Sequence, residues 1–383
     1  MIPLSVPHLN GNEWKYVKDC LDTGWISSAG SYVNQFETMV ADFVGAKYGI
    51  ACMNGTVGLQ IAQIIAGVLP SDYIIAPNVT FIATLNSIKY TRANPILVDV
   101  FQDTWQIDLE LLENFLNEFT ELKLIDGKWH SYHKTDGKRV FAIMPVHVLG
   151  NMCDMDYLRR ISEKHHLVVI EDSAEALGTT YNGRHAGTFG DLGVFSFNGN
   201  KIISTGGGGV IVTDNPVFAK KARHLTTQAK VSSMDYIHDE IGYNYRLVNI
   251  LAAVGVAQME QFPELLKSKK IIDAFYKTEL KGVGDIVFQN VLNDVNPNCW
   301  LFTFKTHHMR ALLEYLNAND VQSRPFWMPM NQLEMFKDSI YISTDDQSAK
   351  IYENCISIPS SASITMNQLS IVVKTIKNFY KTL

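Results

Sequence analysis

Short, unbroken apolar runs recur through the first two-thirds of the chain, and they narrow the choice of fold more than any other feature. The runs are Tyr48–Cys52, Ile74–Ala76, Ile96–Val100, Phe141–Val146, Val168–Asp172, Val194–Phe197 and Val210–Thr213. A strand with one wet face alternates apolar and polar residues, so a run that stays apolar on successive positions must be covered on both faces. Helical patterns fall between the runs. Val33, Phe36, Val40 and Phe43 recur at helical spacing before Gly45, and Val57–Ala66 and Asp154–His165 read the same way. Covered strands alternating with helices predict an α/β fold with a mostly parallel central sheet.

Two stretches depart from this texture. Asp126-Gly127 and Asp136-Gly137 flank Lys128–His133, and Asp-Gly favours a two-residue hairpin turn. An inserted β-hairpin is therefore expected over 120–140, feeding the strand at Phe141. Beyond about residue 250 a long helical stretch, Leu251–Lys270, precedes a strand at Trp300–Phe304 and helices at Met309–Asn317 and Ile371–Tyr380. The expected division is a large domain over 1–250 and a smaller α+β domain over 251–383.

Composition limits the partners. Hydrophobic residues make up 46% and the net charge is −6, enough to fill a core and no general attraction for nucleic acid or a membrane surface. Five scattered cysteines without a Cys-x-x-Cys pair indicate neither a disulfide framework nor a zinc site, and reduced thiols fit a cytoplasmic protein. The N-terminus lacks a signal-peptide pattern, and no apolar stretch is long enough to span a bilayer. No metal site is expected. His130 and His133 should point to opposite faces of a strand, and His165-His166 read as charges at a helix C-terminus.

The chemistry concentrates at strand ends. Val168–Asp172 ends in a carboxylate, and Val194–Phe197 runs into Asn198-Gly199-Asn200-Lys201. Ligands of open α/β sheets bind at the carboxyl ends of strands, so Asp172 and Lys201 are offered to one crevice. Alone, each is ordinary: most lysines are solvated, and most aspartates after a strand cap a turn or a helix. Paired, they supply what pyridoxal 5′-phosphate (PLP) needs, a lysine to bond its aldehyde and an acid to keep its pyridine nitrogen protonated. Asn54-Gly55-Thr56 lies between a strand and a helix, where backbone N–H groups can hold a phosphate, although an ordinary Asn-Gly turn reads identically. Ser196 can add a hydroxyl. Phe81 can stack on the pyridine ring or be a core aromatic. Gly206–Gly209 permits positive φ and close backbone approach beside the lysine turn, but it lacks the spacing and setting of a P-loop or Rossmann motif.

Together, Glu171-Asp172-Ser173-Ala174-Glu175-Ala176-Leu177-Gly178, Phe195-Ser196-Phe197-Asn198-Gly199-Asn200-Lys201, the glycine run and Gly242-Tyr243-Asn244-Tyr245-Arg246 resemble the DegT/DnrJ/EryC1/StrS sugar aminotransferases. The likeness extends from Gly24-Trp25-Ile26-Ser27-Ser28 to Ser323-Arg324-Pro325-Phe326-Trp327 and is strongest to the LegC-type branch, enzymes of legionaminic acid and related diamino-sugar pathways. It implies the fold-type I architecture of PLP-dependent transferases (aspartate aminotransferase-like) and a homodimer with active sites at the subunit interface. By that likeness Lys201 is the covalent lysine, Asp172 the partner of the pyridine nitrogen, Glu175 a neighbour of the ring hydroxyl and Phe81 the stacking ring. Gly55, Thr56 and Ser196 would hold the phosphate, joined by Asn244 from the neighbouring subunit. Trp25, Ser27, Arg324 and Trp327 are the candidates for substrate, and Trp300 offers a further aromatic face.

The chain also departs from the family pattern. Its hairpin at 120–140 is longer, and two departures fall near the expected sugar pocket: His147-Val148-Leu149-Gly150 stands where relatives usually carry His-Leu-Tyr-Gly, and Met330 stands where histidine is common. The implied reaction moves an amino group from glutamate to C4 of UDP-linked 4-keto-6-deoxy-N-acetylglucosamine, in polysaccharide or legionaminic acid biosynthesis. The alternatives are a dTDP- or GDP-linked 3- or 4-keto sugar, a PLP-dependent sugar dehydratase, and a non-catalytic ligand-binding protein. Lys201 argues against the dehydratase, because such relatives carry histidine there. A mere binder has no need of an acid–lysine pair.

Overall fold

The computed structural model describes residues 1–232 and 234–383. All seven apolar runs lie side by side in one sheet, in the order Tyr48–Cys52, Gly209–Thr213, Leu192–Ser196, Val168–Asp172, Arg139–Ile143, Tyr73–Pro77 and Asn94–Val98, with an eighth strand, Ile340–Ile342, beside the last. Gly209–Thr213 runs antiparallel to both neighbours, and the other pairings along this path are parallel. Alternate residues of a strand enter different cores, which is why the runs carry no polar face. Val210 and Val212 pack with Phe36 and Val40 of the helix Ser31–Val44, while Ile211 between them packs with Leu59 and Ala222 on the other side.

Several of the helices between the strands start at side-chain caps, each contributing about 1 kcal/mol. Asn54 accepts from the Val57 N–H at 3.0 Å and Asp154 from the Tyr157 N–H at 2.8 Å. The helix ending at His165 differs from its sequence reading. His165 is buried, which lowers its pKa, so it is a core imidazole rather than a charge at the helix end. The hairpin forms as Thr120–Ile125 and Lys128–His133, with Asp126 and Gly127 both at positive φ in the turn. At the second Asp-Gly pair the chain makes a wider loop. There Asp136 accepts from the Tyr73 hydroxyl at 2.8 Å and bonds His133 Nδ1 at 2.9 Å.

A second, antiparallel sheet orders Val287–Phe288, Phe302–Lys305, Cys355–Ile358 and Arg324–Pro325. The long helix Asn249–Leu280 joins the two sheets, with Phe262 and Leu265 in the large core and Tyr276 and Leu280 in the small one. It runs ten residues past the expected end at Lys270, because buried positions continue through a stretch whose charges mask the period. No helix among the described residues is long and apolar enough to cross a membrane.

Ile340–Ile342 crosses back over the division expected at residue 250 to pair with Asn94–Val98 of the large sheet. Asp99, buried at the end of that strand, holds the returning segment. It accepts from the Ser343 hydroxyl at 2.6 Å, the Gln347 and Ser348 N–H groups at 2.8 Å each, the Ser348 hydroxyl at 2.5 Å and the Val100 N–H at 2.9 Å. Burial alone would raise the Asp99 pKa, but these donors outweigh it and leave it below the ordinary carboxylate value. Its folded pKa being depressed, the stabilisation is present above the unfolded value of about 3.9 and disappears as pH falls through the folded one. Asp99→Asn should therefore lower stability by about 1.5–3 kcal/mol at pH 7, with the gap closing as pH falls below the unfolded value and through the folded one. Urea midpoints of the two proteins across that range measure it, and a gap independent of pH would contradict the ionic account.

Candidate active site

A cleft of about 720 Å³ opens at the carboxyl ends of the parallel strands, walled on its far side by the smaller sheet. Gly55, Thr56, Phe81, Asp172, Glu175, Ser196, Lys201, Arg324 and Trp327 all line it, drawn from both ends of the chain. Trp25, Ser27 and Asn244 do not. Trp25 is 59% exposed, and Ser27 and Asn244 are exposed as well. The backbones of Trp25 and Ser27 are tied to Asn249, through Asn249 Nδ2 donating to the Trp25 carbonyl and the Asn249 N–H to that of Ser27, both at 2.7 Å. Met330 is also outside the cleft, buried against the large-domain core with its N–H on the Asn78 carbonyl at 3.0 Å. Of the two departures expected near the substrate, Leu149 alone lines the cleft.

One end of the cleft has the makings of a cup for an anion. Asn54 caps the helix Gly55–Ala66, and the first helical N–H groups, of Gly55 and Thr56, have no partner within the helix. Such a terminus favours a phosphate through its N–H groups and its dipole. The cup closes tightly around those atoms. A Cβ at Gly55 would come within 3.0 Å of Ser196 Cβ, so Ser196 stands against the helix start. A Cβ at Gly209 would lie 2.6 Å from the Asn54 carbonyl and 2.9 Å from the Gly55 nitrogen. The last glycine of the run is thus required by close approach.

Deeper in the cleft, burial governs three ionisable groups. Asp172 is buried at its strand end, accepting from the Thr84 hydroxyl at 2.6 Å and the Ala174 N–H at 3.2 Å. Burial pushes its pKa up, and the two donors with nearby Lys201 and His147 pull it back. Lys201 Nζ stands 3.5 Å from Glu175 Oε1, and burial lowers the pKa of the amine against the pull of Glu175 and Asp172. Glu175 is pushed up to about 7 by burial, opposed by Lys201 and by the Leu149 N–H, which donates to Glu175 Oε2 at 2.8 Å. The acid is raised and the amine beside it lowered, which brings their proton affinities closer together than those of a solvated pair.

Several parts of this arrangement carry no local signal in sequence. Thr84 reaches Asp172 from a separate helix. Leu149 turns its N–H to Glu175 only because it holds φ 61, a left-handed conformation rare for a leucine. Glu171, fully buried behind Asp172, accepts from the N–H groups of Gly187 and Gly190 at 2.7 Å each and bonds His147 Nε2 at 2.8 Å. The alternation of Glu171 and Asp172 on one buried strand hinted that two faces needed partners, but not which ones.

Residues 7–377 match the model of the DegT/DnrJ/EryC1/StrS aminotransferase family. The chain belongs to this family. It is a PLP-dependent sugar aminotransferase with the α/β architecture of that group. Among its relatives are the GDP-perosamine synthases of Vibrio cholerae, 34% identical over 99% of both chains, and of Caulobacter vibrioides, 36% identical over 97% of this chain and 96% of that one. A DegT DnrJ EryC1 StrS aminotransferase from Brucella abortus shares the fold with a TM-score of 0.88 at 22% identity, covering 96% of this chain and 95% of its own.

The glycine geometry sets a test of the cup. Gly209→Ala should weaken PLP affinity roughly tenfold or more, a loss of about 1.4 kcal/mol, by displacing Asn54 and Gly55. Gly199→Ala, where an added Cβ meets nothing within 4 Å, should leave it unchanged. Titration of each protein with PLP, followed by absorbance, distinguishes the two, and equal affinities would remove the cup from this place.

Proposed function

We propose that the chain moves the amino group of glutamate onto the keto carbon of a nucleotide-linked sugar, with Lys201 as the covalent lysine and Asp172 as the partner of the pyridine nitrogen. The observation that carries this reading is the meeting of Lys201, Asp172 and a capped helix N-terminus in one cleft. Their chemistry fits PLP, which supplies a reactive carbonyl and an electron sink when bound. Gly55, Thr56 and Ser196 would hold its phosphate, and exposed Phe81 would lie against its ring. Asp172, whose charged form the Thr84 hydroxyl and Ala174 N–H favour against burial, would hold a proton on the ring nitrogen. The Lys201 amine, when free, would take a proton from one carbon and return it to another, and Glu175 would keep that amine oriented.

Arg324 serves the anionic part of both substrates in this reading. Its guanidinium donates to the Ser323 carbonyl at 2.9 Å and has no carboxylate within ion-pair distance among the described residues, so it is available to a carboxylate or a diphosphate. Trp327, stacked on Phe326 at 4.8 Å and edge-on to Phe81 at 6.1 Å, would form an aromatic wall for the sugar. The similarity to GDP-perosamine synthases favours a GDP-linked keto sugar. A UDP-linked 4-keto-6-deoxy-N-acetylglucosamine is the second reading, supported by the LegC-type motifs around Asn198–Gly209 and Ile237–Arg246. The deciding assay offers glutamate with GDP-, UDP- and dTDP-linked keto sugars and compares kcat/KM. We expect preference for the GDP sugar of at least about tenfold, some 1.4 kcal/mol in transition-state binding. An equal or reversed preference would overturn the nucleotide assignment while leaving the amino transfer in place.

Asn244, Trp25 and Ser27 enter this function only through a second copy of the chain. A homodimer in the cytoplasm, with Asn244 completing the neighbouring phosphate cup, accounts for three exposed residues that the motifs single out. The segment bearing Asn244 is held from within, since Arg246 pairs with buried Glu37, which also accepts from the Ala51 N–H at 2.7 Å. Co-expression of Lys201→Ala with Asn244→Ala should yield heterodimers with one intact composite site and regain up to about half of wild-type activity per dimer, each parent alone being inactive. Heterodimers that form without regaining activity would count against the shared site.

A further inference from the structure

Trp300 lies just before the strand Phe302–Lys305, and its side chain is 98% shielded from solvent, with a relative exposure of 2%. It does not present a free aromatic face to a sugar. Lys201 Nζ stands over its ring, 4.0 Å from the centroid. Its indole Nε1–H donates to the carbonyl of Asn200, the residue before the lysine, at 2.7 Å, and the Ser5 hydroxyl donates to the same oxygen at 3.0 Å. Its own N–H donates to Asn298 Oδ1 at 3.0 Å, while Asn298 Nδ2 donates to the Glu175 carbonyl at 2.7 Å. One residue thus touches the amine of Lys201, the peptide at its base and the support of its carboxylate neighbour.

A buried ammonium has lost its water, and an aromatic face is one of the few surfaces that can replace some of that stabilisation. We propose that Trp300 is a positioning residue for Lys201, seating the ammonium on its indole face whenever the lysine is free of the cofactor, while its indole N–H locks the Asn200 peptide. The proposal rests on Lys201 being the covalent lysine. The other ionisable groups facing the amine are Glu175 and Asp172, both beyond the end of Val168–Asp172 or at it, and Arg324 and Tyr352 line the same cleft from the smaller sheet and its helix. The two carboxyl groups favour the protonated amine, and burial opposes it. Trp300 adds to the side of the proton without adding a charge that would itself titrate. The seat keeps the protonated amine above one point of the cleft between taking up a proton and giving it back.

The test reads the amine rather than turnover. Holoenzyme loaded with pyridoxamine phosphate, which leaves the lysine free, is treated with limiting acetic anhydride across a pH series, and peptide mapping gives the fraction acetylated at Lys201. Fluorinated tryptophans placed at position 300 alone keep the shape and the N–H while weakening the ring's negative face. The apparent pKa of Lys201 should fall as fluorines are added, by about one unit in all. Trp300→Leu should show a similar fall, and Trp300→Phe, which keeps a face, a much smaller one. A flat fluorine series, or equal shifts in the Phe and Leu variants, overturns the seat. Borohydride reduction of the resting holoenzyme with peptide mapping checks the underlying reading separately. A pyridoxyl group on another lysine overturns that reading and the proposal with it, whereas a flat series with the label on Lys201 overturns the seat alone.

Discussion

Desolvation of charge at the carboxyl ends of the buried strands is the constraint on which the rest of the site depends. A strand covered on both faces can present an ionisable side chain usefully only where it leaves the sheet, and there the group is still largely out of water. Asp172, Glu175 and Lys201 occupy that position, and burial is the largest influence on the pKa of each. None would be stable there alone. Lys201 offsets both carboxyl groups, and aimed donors hold them, the Thr84 hydroxyl and Ala174 N–H for Asp172 and the Leu149 N–H for Glu175. A low dielectric that makes unpaired charge costly also strengthens each of these contacts, so the groups form one network rather than three sites.

That network is assembled by segments far apart in the chain. Ser5 and Trp300 meet at the Asn200 carbonyl, and Asn298 ties the Trp300 loop to Glu175. Asp99 draws 340–348 onto the large sheet, and the helix Gln347–Asn354 that follows carries Tyr352 to the cleft wall. The smaller sheet is therefore more than an appendage. It closes the cleft with Arg324 and Trp327, and the bond from Trp300 that joins it to the large domain also holds the lysine turn.

Much of the fold was legible because the periods involved are local. The covered strands, the cap at Asn54, the Asp126-Gly127 turn and the pairing of Asp172 with Lys201 follow from residues close in sequence and from rules about neighbours. Legibility failed where a long-range contact overrode a local pattern. His165 resembles a helix-end charge but is packed inside, the helix from Asn249 continues beneath a charged stretch, and Met330 faces the core rather than the cleft.

The sequence by itself determined the class of fold, the family and the chemical inventory: a lysine, an acid and an Asn-Gly helix start at the ends of buried strands. Burial on both faces forces unbroken apolar runs, and a cofactor with fixed functional groups demands fixed partners, so both leave marks in single residues. Tertiary structure alone decided how those groups are charged and held. The donors to Asp172 and Glu175, the tryptophan under Lys201 and the left-handed turn at Leu149 come from elements brought together only by folding, and a side chain's electrostatic state is set by what packs around it, not by its place in the chain.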